Sequence, residues 1–161
     1  MEIIKVKPIL ALKKGSTGKP TLTDKIINKA IRMRTRSIYF HSEIILDNKW
    51  ISSNNDTGVV IRELKDLNND NWDYIELPER SMTIEQHTEM WDYINDQEGK
   101  DYDFYGVFFS QLIKIGGNDV NKWFCSELGS KILQMIGYPE LMHVVPANID
   151  PGDLEVICRK I

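Results

Sequence analysis

Short apolar runs separated by turn residues fill the first half of this chain, and apolar positions spaced by three and four fill much of the second. The first pattern predicts strands, the second helices. Ile3 to Leu12 is β-rich and predicts a first strand. Lys13 to Thr23, with Gly15, Gly18 and Pro20, predicts a loop. Asp24 is placed to cap a short helix carrying Ile26, Ile27, Ala30 and Ile31. Ser37 to Leu46 gives the strongest strand signal. Asp47-Asn48 supplies turn chemistry and Trp50-Ile51 resumes a strand, so the pair predicts a hairpin. A polar loop over Ser52 to Thr57, a strand over Gly58 to Leu64, a turn over Asp66 to Asn71 and a strand from Trp72 to Leu77 follow. Up to Pro78 the pattern is that of an antiparallel meander.

Helical signals come next. Thr83 and Gln86 have the spacing of a capping box, and Ile84, Met90, Trp91 and Ile94 form an apolar face that ends before Gly99. Lys100 to Gly106 predicts a loop, Val107 to Ile115 a buried helix, and Gly116 to Asp119 its end. A further helix opens at Cys125, carries Leu128, Ile132, Met135 and Ile136 on one face, and stops at Gly137, a C-cap residue. The tail holds Pro139, Pro146 and Pro151 and a predicted terminal strand around Leu154 to Cys158. Strands first and helices after predict an α+β fold, an antiparallel β-sheet packed against helices.

The chain has 161 residues, of which 42% are hydrophobic and 27% charged. That suits a single globular domain spanning 1–161. The net charge of -4 speaks against a nucleic-acid binder, whose footprint is basic, and no nucleic-acid partner is expected. The short Arg32, Arg34, Arg36 cluster reads as solvated surface. The start lacks the apolar core of a signal peptide, and no apolar run is long enough to span a bilayer. A cytoplasmic protein is expected, unless lysis or packaging into a particle releases it. Two cysteines, Cys125 and Cys158, are too few for a disulfide framework, and no Cys/His spacing suggests a metal or calls for a cofactor.

Cys125 stands in the first turn of its helix, where unpaired N–H groups and the positive end of the dipole favour thiolate. Cys158, in an apolar stretch, reads as a packing residue. Of His41, His87 and His143, His87 falls on the amphipathic helix and His143 in the tail. His41 lies in the strongest strand with Glu43 two residues on, so the two share a face. That face is either solvated or the wall of an active site. Nucleophilic cysteine chemistry needs a thiolate, a histidine to pass the proton and a polar group to orient the ring, close in space but not in sequence.

Phe40-His41-Ser42-Glu43-Ile44, then Ser52-Ser53, then Asp56-x-Gly58-Val59-Val60-x-Arg62, then Trp72 to Pro78, then Gly99-x-x-Tyr102-Asp103-x-x-Gly106, then Trp123-Phe124-Cys125-Ser126-Glu127 together resemble one family. It is the circularly permuted branch of the papain-like, NlpC-type cysteine hydrolases, and the resemblance covers residues 36 to 155. In that branch the histidine strand comes first and the cysteine helix last. Small proteins of this layout are frequent in phages and prophages. By position, the resemblance implies Cys125 as nucleophile and His41 as general base. Glu43 is favoured over Ser52 as the group that orients the ring. Tyr39 is a candidate cleft residue, Tyr102-Asp103 a structural motif at its edge, and Glu127 a helix-end residue rather than a catalytic one. The implied bond is an amide, such as the peptide of the bacterial cell wall. An acyl ester or acyl amide of a lipid, and a non-catalytic papain-like domain serving a virion or host contact, stay open. No cofactor is implied.

Overall fold

The computed structural model describes residues 2–14, 37–54, 57–102, 122–123 and 125–161, together with 22 and 25. The predicted helix after Asp24, apart from Lys25, and the one over Val107 to Ile115 lie outside the described residues, as does most of the loop after Lys13. The strands are β1 (Ile3–Val6), β2 (Ile9–Lys13), β3 (His41–Leu46), β4 (Lys49–Asn54), β5 (Gly58–Glu63), β6 (Trp72–Glu76), β7 (Arg80–Thr83), β8 (Asp101–Tyr102) and β9 (Lys122–Trp123). The helices are α1 (Ile84–Gln97), α2 (Cys125–Ile136) and α3 (Pro151–Cys158). The chain is thus α+β, with two antiparallel sheets, a short parallel β8–β9 pair and three helices among the described residues, the last near the C-terminus.

The main sheet runs β5-β4-β3-β2-β6, antiparallel throughout. Only β3 to β5 form the expected meander. β6 crosses to the far edge and pairs with β2, a long-range choice that no local pattern encodes. The β3–β4 turn places Asp47 and Asn48 at positive φ, as a two-residue hairpin requires. The single strand expected over Ile3 to Leu12 is two strands. Pro8 has no N–H to give a ladder, and the chain breaks there. β1 leaves to pair with β7, while the Pro8 carbonyl accepts from Leu77. The strand expected from Ser37 begins at His41, because Ser37 Oγ accepts the Tyr39 N–H and holds a turn. The loop expected from Ser52 begins later, since β4 stays paired with β5 as far as Asn54. The terminal strand is corrected to a helix, α3: Asp150 and Asp153 close a capping box around Pro151 at the helix start.

Alternation gives the main sheet two unlike faces. One carries Leu10, Leu12, Ile44, Leu46, Ile51 and Val59, which form the core with Met90 and Ile94 of α1, Leu128, Ile132 and Leu133 of α2 and Leu154 of α3. α1 starts on the predicted box, with Thr83 Oγ1 accepting from Gln86 N and Gln86 Oε1 from Thr83 N. Ile84, expected on its buried face, is exposed. α2 ends in a Schellman turn: Gly137 has φ +90, its N–H reaches Gln134 O, and Tyr138 N–H reaches Leu133 O. The opposite sheet face carries Ala11, Lys13, His41, Glu43, Trp50, Ser52, Arg62, Trp72 and Tyr74.

Gly58 ties this sheet to the end of α1. Its φ is +66, and a Cβ there would stand 2.2 Å from the Lys100 carbonyl oxygen, which accepts the Val59 N–H. Gly58→Ala therefore lowers stability by about 2–4 kcal/mol through backbone strain and a contact that no rotamer relieves. Urea unfolding measures it; a loss below about 0.5 kcal/mol contradicts this role.

Candidate active site

The first residue of β3 and the first residue of α2 bring the predicted histidine and cysteine together: His41 hydrogen-bonds to Cys125. Glu43 also engages the ring, with His41 Nε2 2.9 Å from Glu43 Oε1. An i+2 neighbour on a strand projects parallel to the ring, and the length of the Glu43 side chain lets its carboxylate close that gap. Ser52 does not touch the ring. Its Oγ donates to Glu43 Oε1 at 2.5 Å, and Asn54 Nδ2 donates to Ser52 Oγ at 3.4 Å. The two sequence candidates for the orienting group thus stand in series, Glu43 on the ring and Ser52 behind it.

Glu43 is a charged residue only 5% exposed, which demands partners. Besides His41 and Ser52 it has Arg62, whose Nη2 lies 3.4 Å from Oε2. Trp72 meets the His41 ring in a T-shaped contact, with centroids 6.1 Å apart, and Trp50 and Tyr74 continue the aromatic contact. The sequence alone marks none of Arg62, Trp50 and Trp72 as site residues. The available signal was parity: Arg62 pairs with Trp50, and so shares a face with Ser52, once the β4–β5 register is known.

The charges reinforce this arrangement. Burial pushes the His41 pKa down, but the charge and hydrogen bond of Cys125, and then Glu43, outweigh it, and the ring is raised to about 10. Burial pushes the Glu43 carboxyl up, but His41, Ser52 and Arg62 outweigh it, and its pKa is lowered. At neutral pH the ring is an imidazolium between sulfur and carboxylate. The raised His41 pKa stabilises the fold fully below about pH 6.5, and this is lost as pH rises through about 10. The lowered Glu43 pKa contributes above about pH 4.5, and this is lost as pH falls through the depressed value.

The helix that carries Cys125 is fixed at its start. Ser126 Oγ donates to the Ile149 carbonyl, Ser130 Oγ donates to Ser126 O at 2.7 Å, and both serines are buried. The first-turn N–H groups of α2 have no acceptor within the helix itself, as at any helix start. Glu127 in that turn acts on α1, where burial and then the Glu127 charge push the Tyr93 hydroxyl up to about 12.

The remaining candidates stand elsewhere. Tyr39 is buried and donates to Asp73 Oδ2 at 2.6 Å, beside Lys14, outside the His41–Glu43–Ser52 chain. His87 is half-buried and shares Asp47 Oδ2 with Trp91. His143 is exposed. Cys158 is buried, and burial followed by the Glu140 charge pushes its thiol up to about 12. Of the Tyr102-Asp103 motif, only the Tyr102 backbone, in β8, falls within the described residues. Among the described residues no group of His, Cys, Asp and Glu is arranged to hold a metal ion, and no helix is long and apolar enough to cross a membrane. No protein-family model, curated protein or solved structure matches the chain.

Proposed function

We propose that this protein is a cysteine-dependent hydrolase of permuted papain-like layout, with Cys125 as nucleophile, His41 as general base and acid, and Glu43 as the group that orients the ring. The single observation that carries this reading is one imidazole engaged by both the cysteine sulfur and a buried carboxylate. A cysteine kept only for packing has no need of a charged histidine, and Cys158 has none.

In this reading the Cys125 thiolate attacks an acyl carbon and a C–S bond forms. The carbonyl oxygen becomes an oxyanion held by first-turn N–H groups of α2. Collapse breaks the bond to the leaving group, which takes its proton from His41. Neutral His41 then removes a proton from water as the water attacks the thioester. Release of the acid returns the thiolate and the imidazolium. The scissile bond is an amide, as in a cell-wall peptide; an acyl ester or acyl amide of a lipid is the alternative for the same site.

Incubation with p-nitrophenyl acetate, with soluble cell-wall peptides and with a short-chain phospholipid tests this by intact mass and peptide mapping. Acylation mapped to Cys125, with turnover of one substrate class, is the expected result. No adduct on Cys125, or equal adducts on Cys125 and Cys158, overturns the reading.

A further inference from the structure

We propose that Arg62 is a positioning residue that acts through Glu43, holding one carboxylate oxygen so that the other stays on His41. This rests on the hydrolase reading above and adds a residue to it. Glu43 Oε1 receives both Ser52 and the His41 ring, while Oε2 faces Arg62. Arg62 lies on β5, an edge strand, and is paired with Trp50 of β4, which fixes its side of the sheet. Its side chain is 57% exposed, yet it reaches a carboxylate that is almost fully buried. An exposed arginine with water on every side gains little from one long ion pair. Here the pair closes the outer end of a line of groups that leads inward to Cys125.

The groups around Glu43 come from five elements. They are His41 on β3, Ser52 on β4, Arg62 on β5, Tyr74 on β6 and, through His41, Cys125 on α2. Lys13 of β2 stands opposite His41, with its ammonium over the Trp72 ring. Removal of Arg62 takes one positive charge away from this line, at the carboxylate that backs the ring. Every remaining group then holds its proton more tightly, so Glu43 and His41 both titrate at higher pH. A carboxylate protonated earlier releases the ring, and the ring then no longer faces the sulfur in one fixed orientation.

The test compares wild type, Arg62→Met and Arg62→Lys by two measurements against pH: the His41 ring signals by NMR and the iodoacetamide alkylation rate of Cys125. In Arg62→Met, the His41 titration and the acid limb of alkylation both move up by about 0.5–1 pH unit. Arg62→Lys keeps the charge and returns both to within about 0.2 units of wild type. A prop that only supports the sheet changes the melting temperature or the overall rate and leaves both midpoints in place; that result overturns the proposal. The NMR titration needs no turnover. A chain in which Cys125 proves unreactive whether or not His41 is present contradicts the hydrolase reading, while the ring midpoints still decide the part played by Arg62.

Discussion

Cys125→Ala lowers kcat/KM by at least about a thousandfold on any substrate the protein turns over, and leaves the fold intact. The magnitude follows from the step removed. Without the sulfur there is no covalent intermediate, and what remains is binding and the helix-start N–H groups. The fold survives because the lost atom is small and the start of α2 is held by other groups: Ser126 on the Ile149 carbonyl, Ser130 on Ser126, and Leu128 and Ile132 in the core. Circular dichroism and thermal melting should be near those of wild type while activity is lost. Activity within about threefold of wild type contradicts the assignment of the nucleophile.

His41→Ala has the second largest effect, a loss of about 10²–10⁴ in kcat/KM. The pH profile carries more information than the loss itself. His41 must be protonated to deliver a proton to the leaving group, and its pKa is raised to about 10. Wild-type kcat/KM therefore stays level through neutral pH and falls as pH rises through about 10. On the acid side, protonation of Glu43 removes the anion that faces Nε2, so activity falls only below the ordinary carboxylate range, because the Glu43 pKa is lowered. In His41→Ala the alkaline fall near pH 10 is absent. A wild-type alkaline fall centred near pH 6.5 would mean that the ring titrates like a free histidine and that neither sulfur nor carboxylate holds it.

Features set by neighbours in sequence were legible in it. The Asp47-Asn48 turn, the Thr83/Gln86 capping box and the Gly137 stop each depend on a few adjacent residues. Side-chain parity put His41 and Glu43 on one face. Features set by distant partners were not. Nothing local in Trp72 to Leu77 says that this strand crosses to pair with β2. Ser52 to Asn54 looks like loop because its side chains are polar. It is strand because the backbone is paired and Ser52 faces a buried carboxylate. The apolar run of α3 is too short to show a period, and its helix signal lies in the start, Asp150-Pro151-Gly152-Asp153. Arg62 needed the β4–β5 register before its side of the sheet could be known.

Cys125 and Cys158 provide a direct test within one molecule. They are 2% and 3% exposed, so access does not separate them. Their surroundings do: Cys125 faces an imidazolium, whereas burial and Glu140 hold the Cys158 proton in place. The decisive measurement is the iodoacetamide alkylation rate of each thiol in the native protein at pH 7, in wild type and in His41→Ala. The expected result is labelling of Cys125 at least about a hundredfold faster than Cys158, with most of that advantage lost in His41→Ala. Equal rates for the two thiols, or a Cys125 rate indifferent to His41, would contradict the active-site account.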